Sequence, residues 1–278
     1  MNAEPPQTKL TLKDAFDRYA REESPKRRGE RLEVVRLARL SSDKIANKRL
    51  ADLEPADFAE WRDRRVKEVA PGTVLREIAL MSSVLTTARR EWGLISHNPI
   101  SDIRKPQSPP PRDRRVSTDE IDRLIKAGGT DLSKVQARAV HAFRFAVETA
   151  MRAGEIVGLT DKAIDRDTRV ATLARTKNGT ARKVPLSTAA LSLLDELPET
   201  DGPLFNLSSR QIDVMFRKAR DKSEIEDLRF HDSRHEAITR LAQKVDVLSL
   251  ARMVGHKDIK MLMIYYNETA EELAQRLD

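Results

Sequence analysis

Asn98-Pro99-Ile100-Ser101-Asp102-Ile103-Arg104-Lys105-Pro106-Gln107-Ser108-Pro109-Pro110-Pro111-Arg112-Asp113-Arg114-Arg115 is the stretch that divides this chain of 278 residues. Proline fixes φ and removes a backbone donor, so Asn98-Pro99, Lys105-Pro106 and three successive prolines are not expected to hold a regular element. The stretch reads as an interdomain linker, 99–115, between a first domain, 1–98, and a second, 116–278. A length of about two ordinary domains agrees. Charge also steps across it. Residues 1–115 hold 25 Lys/Arg against 18 Asp/Glu and residues 116–278 hold 26 of each, so the whole net charge of +7 lies on the first side. Cations concentrated in this way suit a surface that neutralises phosphates. With only 4% aromatic residues, stacking on single-stranded bases explains the excess poorly, and duplex DNA is the expected partner.

Before the linker, Thr11 and Asp14 form a capping pair ahead of Leu12, Phe16 and Tyr19 at helical spacing. Leu32, Val35, Leu40 and Ile45 suggest a second, looser amphipathic helix. A third, starting at Asp52 or Pro55, carries Phe58 and Trp61, and a fourth follows Pro71-Gly72 with Val74, Ile78, Met81, Leu85 and Ala88. Four helices predict a small bundle. After the linker, Ser117 and Glu120 make a capping box before Ile121, Leu124 and Ile125, and a longer helix covers about 134–151. The pattern then changes to short alternating segments at 163–164, 170–173 and 182–186, separated by Asp165-Arg166-Asp167 and Asn178-Gly179. These predict a three-stranded antiparallel sheet. Helices resume at 188–197, 209–222, 231–243 and 248–254, with a last one near 271–277. The fold class is therefore mainly α with a small antiparallel sheet: a helical bundle followed by an α+β domain.

The absence of cysteine excludes disulfides, thiolate chemistry, iron–sulfur clusters and zinc sites built on sulfur. No apolar run reaches the roughly 20 residues that cross a bilayer, and the first ten residues lack the basic start and apolar core of a secretory signal. A cytoplasmic protein without membrane attachment is expected.

Four places in the second domain carry chemistry, and each taken alone has an ordinary reading. In Thr149-Ala150-Met151-Arg152-Ala153-Gly154-Glu155 an arginine sits at a helix end, with Glu155 placed to hold a turn or pair with a cation. It could equally be a surface arginine with its salt bridge. Thr176-Lys177-Asn178-Gly179 puts a lysine at a hairpin tip, with Arg175 and Lys183 nearby. In Phe230-His231-Asp232-Ser233-Arg234-His235 a His-x-x-Arg pair shares one helix face; His231 and His235 could instead ligate a metal, but the pattern is not His-Glu-x-x-His and Arg234 would crowd the cation. Finally, Gly255-His256 is followed nine residues later by Tyr265 and then Tyr266. Adjacent tyrosines often comprise one packed and one exposed ring.

In the order Arg, Lys, His-x-x-Arg, Gly-His, Tyr, these residues resemble the catalytic set of the tyrosine recombinase (phage integrase) family. That family carries its arginine in a Thr-Gly-Met-Arg-x-x-Glu motif, its lysine on the β2–β3 hairpin and its tyrosine nine residues beyond Gly-His. Two departures are Ala150 in place of glycine and Asp232-Ser233 in place of Asp-Leu. The resemblance extends loosely to the first domain as the family's helical core-type, DNA-clamping domain. No arm-binding domain is expected ahead of it, since the bundle begins within the first dozen residues.

The resemblance implies a site-specific recombinase or integrase that cleaves and rejoins duplex DNA through a 3′-phosphotyrosyl link on Tyr265. Arg152 and Arg234 would grip the phosphate and His231 and His256 would bond to its oxygens. His231 would also take the tyrosine's proton, Lys177 would protonate the departing 5′ oxygen, and Glu155 would position. A free tyrosine has a pKa of about 10, so cations must help remove its proton. The covalent link retains the energy of the broken bond, so no cofactor, metal or ATP is expected; the sequence has neither a phosphate-binding Gly-rich Lys-Ser/Thr loop nor a carboxylate cluster for two metals. Family resemblance places Arg27, Arg28, Thr73 and Arg76 against DNA. It also implies a terminal helix docked on a neighbouring protomer, assembly on DNA as dimers and a tetramer, and accessory DNA-bending or directionality factors as possible partners. Type IB topoisomerase-like relaxation, a catalytically silent DNA-binding factor and metal-dependent hydrolysis are the alternative readings.

Overall fold

The structure, a computed structural model, describes residues 9–110, 112–173, 181–256 and 258–266. Lys177 and the expected terminal helix at 271–277 lie outside the described residues. Two compact units divide the chain, Met1–Pro111 and Arg112–Asp278.

In the first unit, α1 (Leu12–Glu22) starts at the Thr11/Asp14 box, where the Thr11 N–H donates to Asp14 Oδ2 at 2.8 Å and the Asp14 N–H to Thr11 Oγ1 at 3.3 Å. It buries Leu12, Phe16 and Tyr19. Phe58 and Trp61 from α3 (Pro55–Arg65) and Val74, Ile78, Met81 and Leu85 from α4 (Pro71–Arg90) complete the same core. Glu77, buried on α4, is held by a forked bond from Arg65, whose Nε and Nη2 each donate to a carboxylate oxygen at 2.9 Å. Helix α2 (Glu30–Ser41) corrects the expectation for its inner face. Leu37 and Leu40 are buried, whereas Leu32 is 70% and Val35 56% exposed. At 100° per residue these two point roughly 140° and 160° away from Leu37, so they cannot share its face. Ile45 does reach the core, from a separate 3₁₀ turn at Lys44–Asn47.

The proline-rich stretch also departs from expectation at its start. Pro99–Asp102 forms a 3₁₀ turn with proline at its first position, where the missing N–H costs nothing, and Ile100 and Ile103 bury into the first core. The Asn98 amide fastens this turn to α4 through the Ser82 carbonyl at 3.1 Å and Thr86 Oγ1 at 3.0 Å. At the far end, Arg112 grips Asp232 at 2.7 and 2.8 Å and Arg115 reaches Glu236 at 2.7 Å, both within the second unit.

The second unit is built around α6 (Val135–Thr149), which is apolar on most sides and buried accordingly. Against it lie α5 (Thr118–Gly128), begun by the Ser117/Glu120 box, and α9 (Ser209–Lys222). The expected sheet is present: β1 (Ile164–Asp165), β2 (Val170–Leu173) and β3 (Arg182–Pro185) run antiparallel in that order, with Leu173 opposite Arg182. Two single-turn helices, α7 (Ala153–Ile156) and later α12 (Lys260–Met263), are too short to leave a periodic signal. The remaining helices are α8 (Thr188–Asp195), α10 (Asp232–Ala242) and α11 (Val247–Val254). Phe143 stacks on Phe216 with centroids 4.7 Å apart, and Phe230 meets both edge-on at 5.7 Å, which fixes where α10 begins. Among the described residues no helix is long and apolar enough to cross a membrane.

Candidate active site

Helix α6 ends at Ala150, whose φ of 55° lies in the left-handed region. This is the position where the family resemblance expects glycine, and the backbone conformation is the reason: alanine holds it only with local strain. The chain reverses and α7 starts with Arg152 as its N-cap residue. Glu155 closes the turn, accepting the Arg152 N–H at 2.8 Å and Arg152 Nη1 at 3.1 Å.

Arg182, absent from the residues singled out by sequence, completes this cluster. From β3 its guanidinium forks onto Glu155, Nη1 to Oε1 at 2.6 Å and Nη2 to Oε2 at 2.9 Å, with the two side chains only 7% and 5% exposed. Burial alone would raise the Glu155 carboxyl; the bonds from Arg182 and the Arg152 backbone outweigh it and hold the group below its ordinary value. The signal that could have found Arg182 is the period-two alternation of β3, since the buried Val184 puts Arg182 on the inward face and Lys183 outside.

Arg234 is buried on α10 and donates to two carbonyls, Ala150 at the end of α6 and Val254 at the end of α11, the latter at 2.6 Å from Nη2. Both are helix C-termini, where partial negative charge favours a cation. Burial, reinforced by Arg152 and Arg182, still pushes Arg234 down to about 9, which leaves it charged at neutral pH. Arg152 and Arg182 thus share one carboxylate while Arg234 is held by backbone carbonyls, leaving an excess of positive charge facing inward.

Gly255 caps α11 at φ +68°. A Cβ there would meet Arg182 Nη1 at 3.0 Å and Cδ at 3.2 Å, so glycine is required both by the turn and by the arginine lying across it. His256 follows, its Nδ1 buried without a partner among the described residues. Burial first, then Arg234, Arg152 and Arg182, lower it to about 4, so the imidazole is neutral at pH 7.

The two tyrosines have different environments. Tyr266 donates its hydroxyl to the Val245 carbonyl at 2.7 Å. Tyr265 packs its ring 5.1 Å from that of His235, and its hydroxyl is raised by burial, with Arg234 acting in the opposite direction. His231 is exposed at the start of α10 and, with Arg234, Ser209, Arg217 and Arg220, lines a cavity of about 510 Å³. His231 and His235 therefore face different surroundings, and no cluster of three or more His, Asp or Glu able to hold a metal occurs among the described residues. Asp232 and Ser233 are both buried: Asp232 holds Arg112 and the Arg229 N–H, and Ser233 Oγ donates to the Phe230 carbonyl at 2.6 Å.

Of the residues expected against DNA in the first unit, Arg27 lies 5.4 Å over the Tyr19 ring and 3.3 Å from Glu33. Arg28 is exposed just before α2, and Thr73 and Arg76 open α4, Arg76 exposed.

The model of the Phage integrase family matches residues 114–272. A putative integrase/recombinase of Haemophilus influenzae is 41% identical over 269 residues, covering 92% of this chain and 72% of its own. The shufflon-specific DNA recombinase of Escherichia coli is 35% identical over 281 residues, covering 97% and 72%. The Tn1549 transposon integrase, solved in complex with circular intermediate DNA, superposes with a TM-score of 0.78 at 19% identity, over 97% of this chain and 99% of that one. The family match spans more than half of the chain and the relatives cover nearly all of it, so the chain belongs to the phage integrase family of tyrosine recombinases, enzymes that break and rejoin DNA strands.

Proposed function

We propose that this chain is a site-specific recombinase that cuts duplex DNA by attack of Tyr265 on a backbone phosphate. The observation that carries the reading is the inward-facing excess of guanidinium charge beside one tyrosine whose hydroxyl is not committed to the backbone, next to another whose hydroxyl is. A phosphodiester brings one negative charge and gains more as the nucleophile adds, so preorganised cations stabilise the transition state more than the ground state.

In the proposed step, the Tyr265 oxygen bonds to phosphorus as the bond from phosphorus to the 5′ oxygen breaks, giving a 3′-phosphotyrosyl link and a free 5′ hydroxyl. Arg152 and Arg234 hold the non-bridging oxygens. His256, neutral before DNA arrives, donates a hydrogen bond to one of them. His231 receives the phenol proton and Lys177 supplies the proton to the leaving oxygen. Glu155 acts by positioning Arg152. Reversal with a different 5′ hydroxyl rejoins the strand without ATP or metal. Exchange between two duplexes needs four cleavages at one per active site, so the working assembly is a tetramer on DNA. The first unit contributes the duplex clamp.

The test is a nicked suicide duplex resolved on a denaturing gel. Wild type and Tyr266→Phe should form the covalent adduct and Tyr265→Phe should not; adduct retained in Tyr265→Phe and lost in Tyr266→Phe would move the nucleophile by one residue.

A further inference from the structure

The segment between α9 and α10, residues 223–231, delivers His231 yet has no regular backbone of its own. Two of its non-glycine residues, Glu224 at φ 54° and Asp227 at φ 46°, lie in the left-handed region, where a Cβ crowds the following carbonyl. Arginines outside the segment hold its carbonyl oxygens: Arg123 at Glu224 (3.2 Å), Arg114 at Glu226 (3.4 Å), Arg112 at Asp227 and Arg220 at Leu228 (3.1 Å). These bonds replace the ladder that a helix or strand would supply. Among the described residues, Arg112 is the one of the four that also reaches α10. Its Nη1 donates to the Asp227 carboxylate at 2.8 Å, and its Nε and Nη2 fork onto Asp232, the first residue of α10, at 2.7 and 2.8 Å. Asp232 is buried and also accepts the Arg229 N–H at 2.7 Å.

We propose that Arg112 is a positioning residue for strand cleavage: by tying the strained Asp227 to Asp232 it fixes where α10 begins, and so where His231, the residue before Asp232, presents its imidazole. The inference rests on the recombinase reading, in which His231 receives the phenol proton. Arg112 acts through the histidine and not on DNA, because its guanidinium donors are committed to Asp227 and Asp232. Arg234, three residues further along, does not depend on it, being held by the Ala150 and Val254 carbonyls. His231 has no such second anchor in the backbone that carries it, which enters α10 from the strained segment. A proton acceptor works only within hydrogen-bond reach of the proton, and a shift of about 1 Å can cost a factor on the order of 100 in rate. Lysine at position 112 would keep the charge but could not fork across both carboxylates.

The experiment uses the full chain and measures the single-turnover rate of Tyr265 adduct formation on a saturating nicked suicide duplex, beside duplex affinity. Arg112→Gln should lower the rate about tenfold or more and the affinity less than about twofold, with Arg112→Lys recovering only part. His231→Ala should also be slow, and adding Arg112→Gln to it should cost less than about a further twofold, because the residue through which Arg112 acts is gone. Arg115→Gln is the comparison: it loosens the buried Glu236 one turn along α10, so it should lower the urea midpoint and leave the rate within about twofold of wild type. Asp227 is exposed, so Asp227→Ala keeps the fold even where Arg112→Gln does not, and it should slow cleavage about threefold or more with the same dependence on His231. The inference is overturned if either variant, folded, cleaves at the wild-type rate, if its loss multiplies with that of His231→Ala, if affinity falls as far as rate, or if Arg115→Gln is equally slow. Wild-type adduct with unchanged rates in the variants removes this inference alone; no adduct from wild type removes the recombinase reading with it.

Discussion

Replacing Arg182 with glutamine removes a forked cation from a carboxylate that stays buried. Two charge-assisted bonds, at 2.6 and 2.9 Å, are lost, and Glu155 is left with Arg152 alone. Breaking one side of a buried pair costs about 3–5 kcal/mol, and we expect the second unit to lose an amount in that range. Arg182→Lys keeps the charge without the fork and should recover about half. The chain offers its own control, since both tryptophans, Trp61 and Trp92, pack in the first core. In urea titrations, far-UV circular dichroism should show an early transition in the variant while tryptophan fluorescence keeps its wild-type midpoint.

The pH dependence has a definite sign. In wild type the Glu155 pKa is lowered, so its stabilising contribution is present above the unfolded value of about 4.3 and lost as pH falls through the folded one. Without Arg182, burial dominates and the carboxyl moves upward, so acidification lets the variant neutralise the stranded group. The gap between the two proteins should therefore narrow as pH falls toward 4. A loss below about 1 kcal/mol at neutral pH, or a gap that widens on acidification, would refute the strut.

Glu236 supports the second unit in the same way. Burial would raise it, but Arg115, the Val116 N–H and Arg240 bring it down to about 2, so Glu236→Gln should cost about 3 kcal/mol at pH 7 and progressively less between pH 4 and pH 2, measured by urea midpoints across pH. His256 should titrate near 4 in the free protein and well above that with inorganic phosphate or duplex DNA bound, because the anion offsets the three guanidinium groups; NMR of the imidazole protons reads both values, and an unchanged titration would place the phosphate elsewhere. Tyr266→Phe should lower stability by about 1 kcal/mol through the lost bond to Val245, with adduct formation intact.

Much of the fold was legible in one dimension because its signals are local. The Thr11 and Ser117 caps start helices that α1 and α5 realise, and Asn178-Gly179 separated two alternating segments that pair as β2 and β3. In α7 and α12 periodicity carried too few residues, and on α2 it assigned Leu32 and Val35 to the inner face although they lie on the outer one. The ordered set of Arg152, His231, Arg234, His256 and Tyr265 stands out in the sequence through its order and spacing, which carry the family resemblance that no one of these residues carries alone. Tertiary structure alone decided what holds them. Arg182 meets Glu155 across 27 residues and Arg234 reaches the Ala150 carbonyl across 84. Such bonds depend on where whole elements end in space, and no local spacing encodes that.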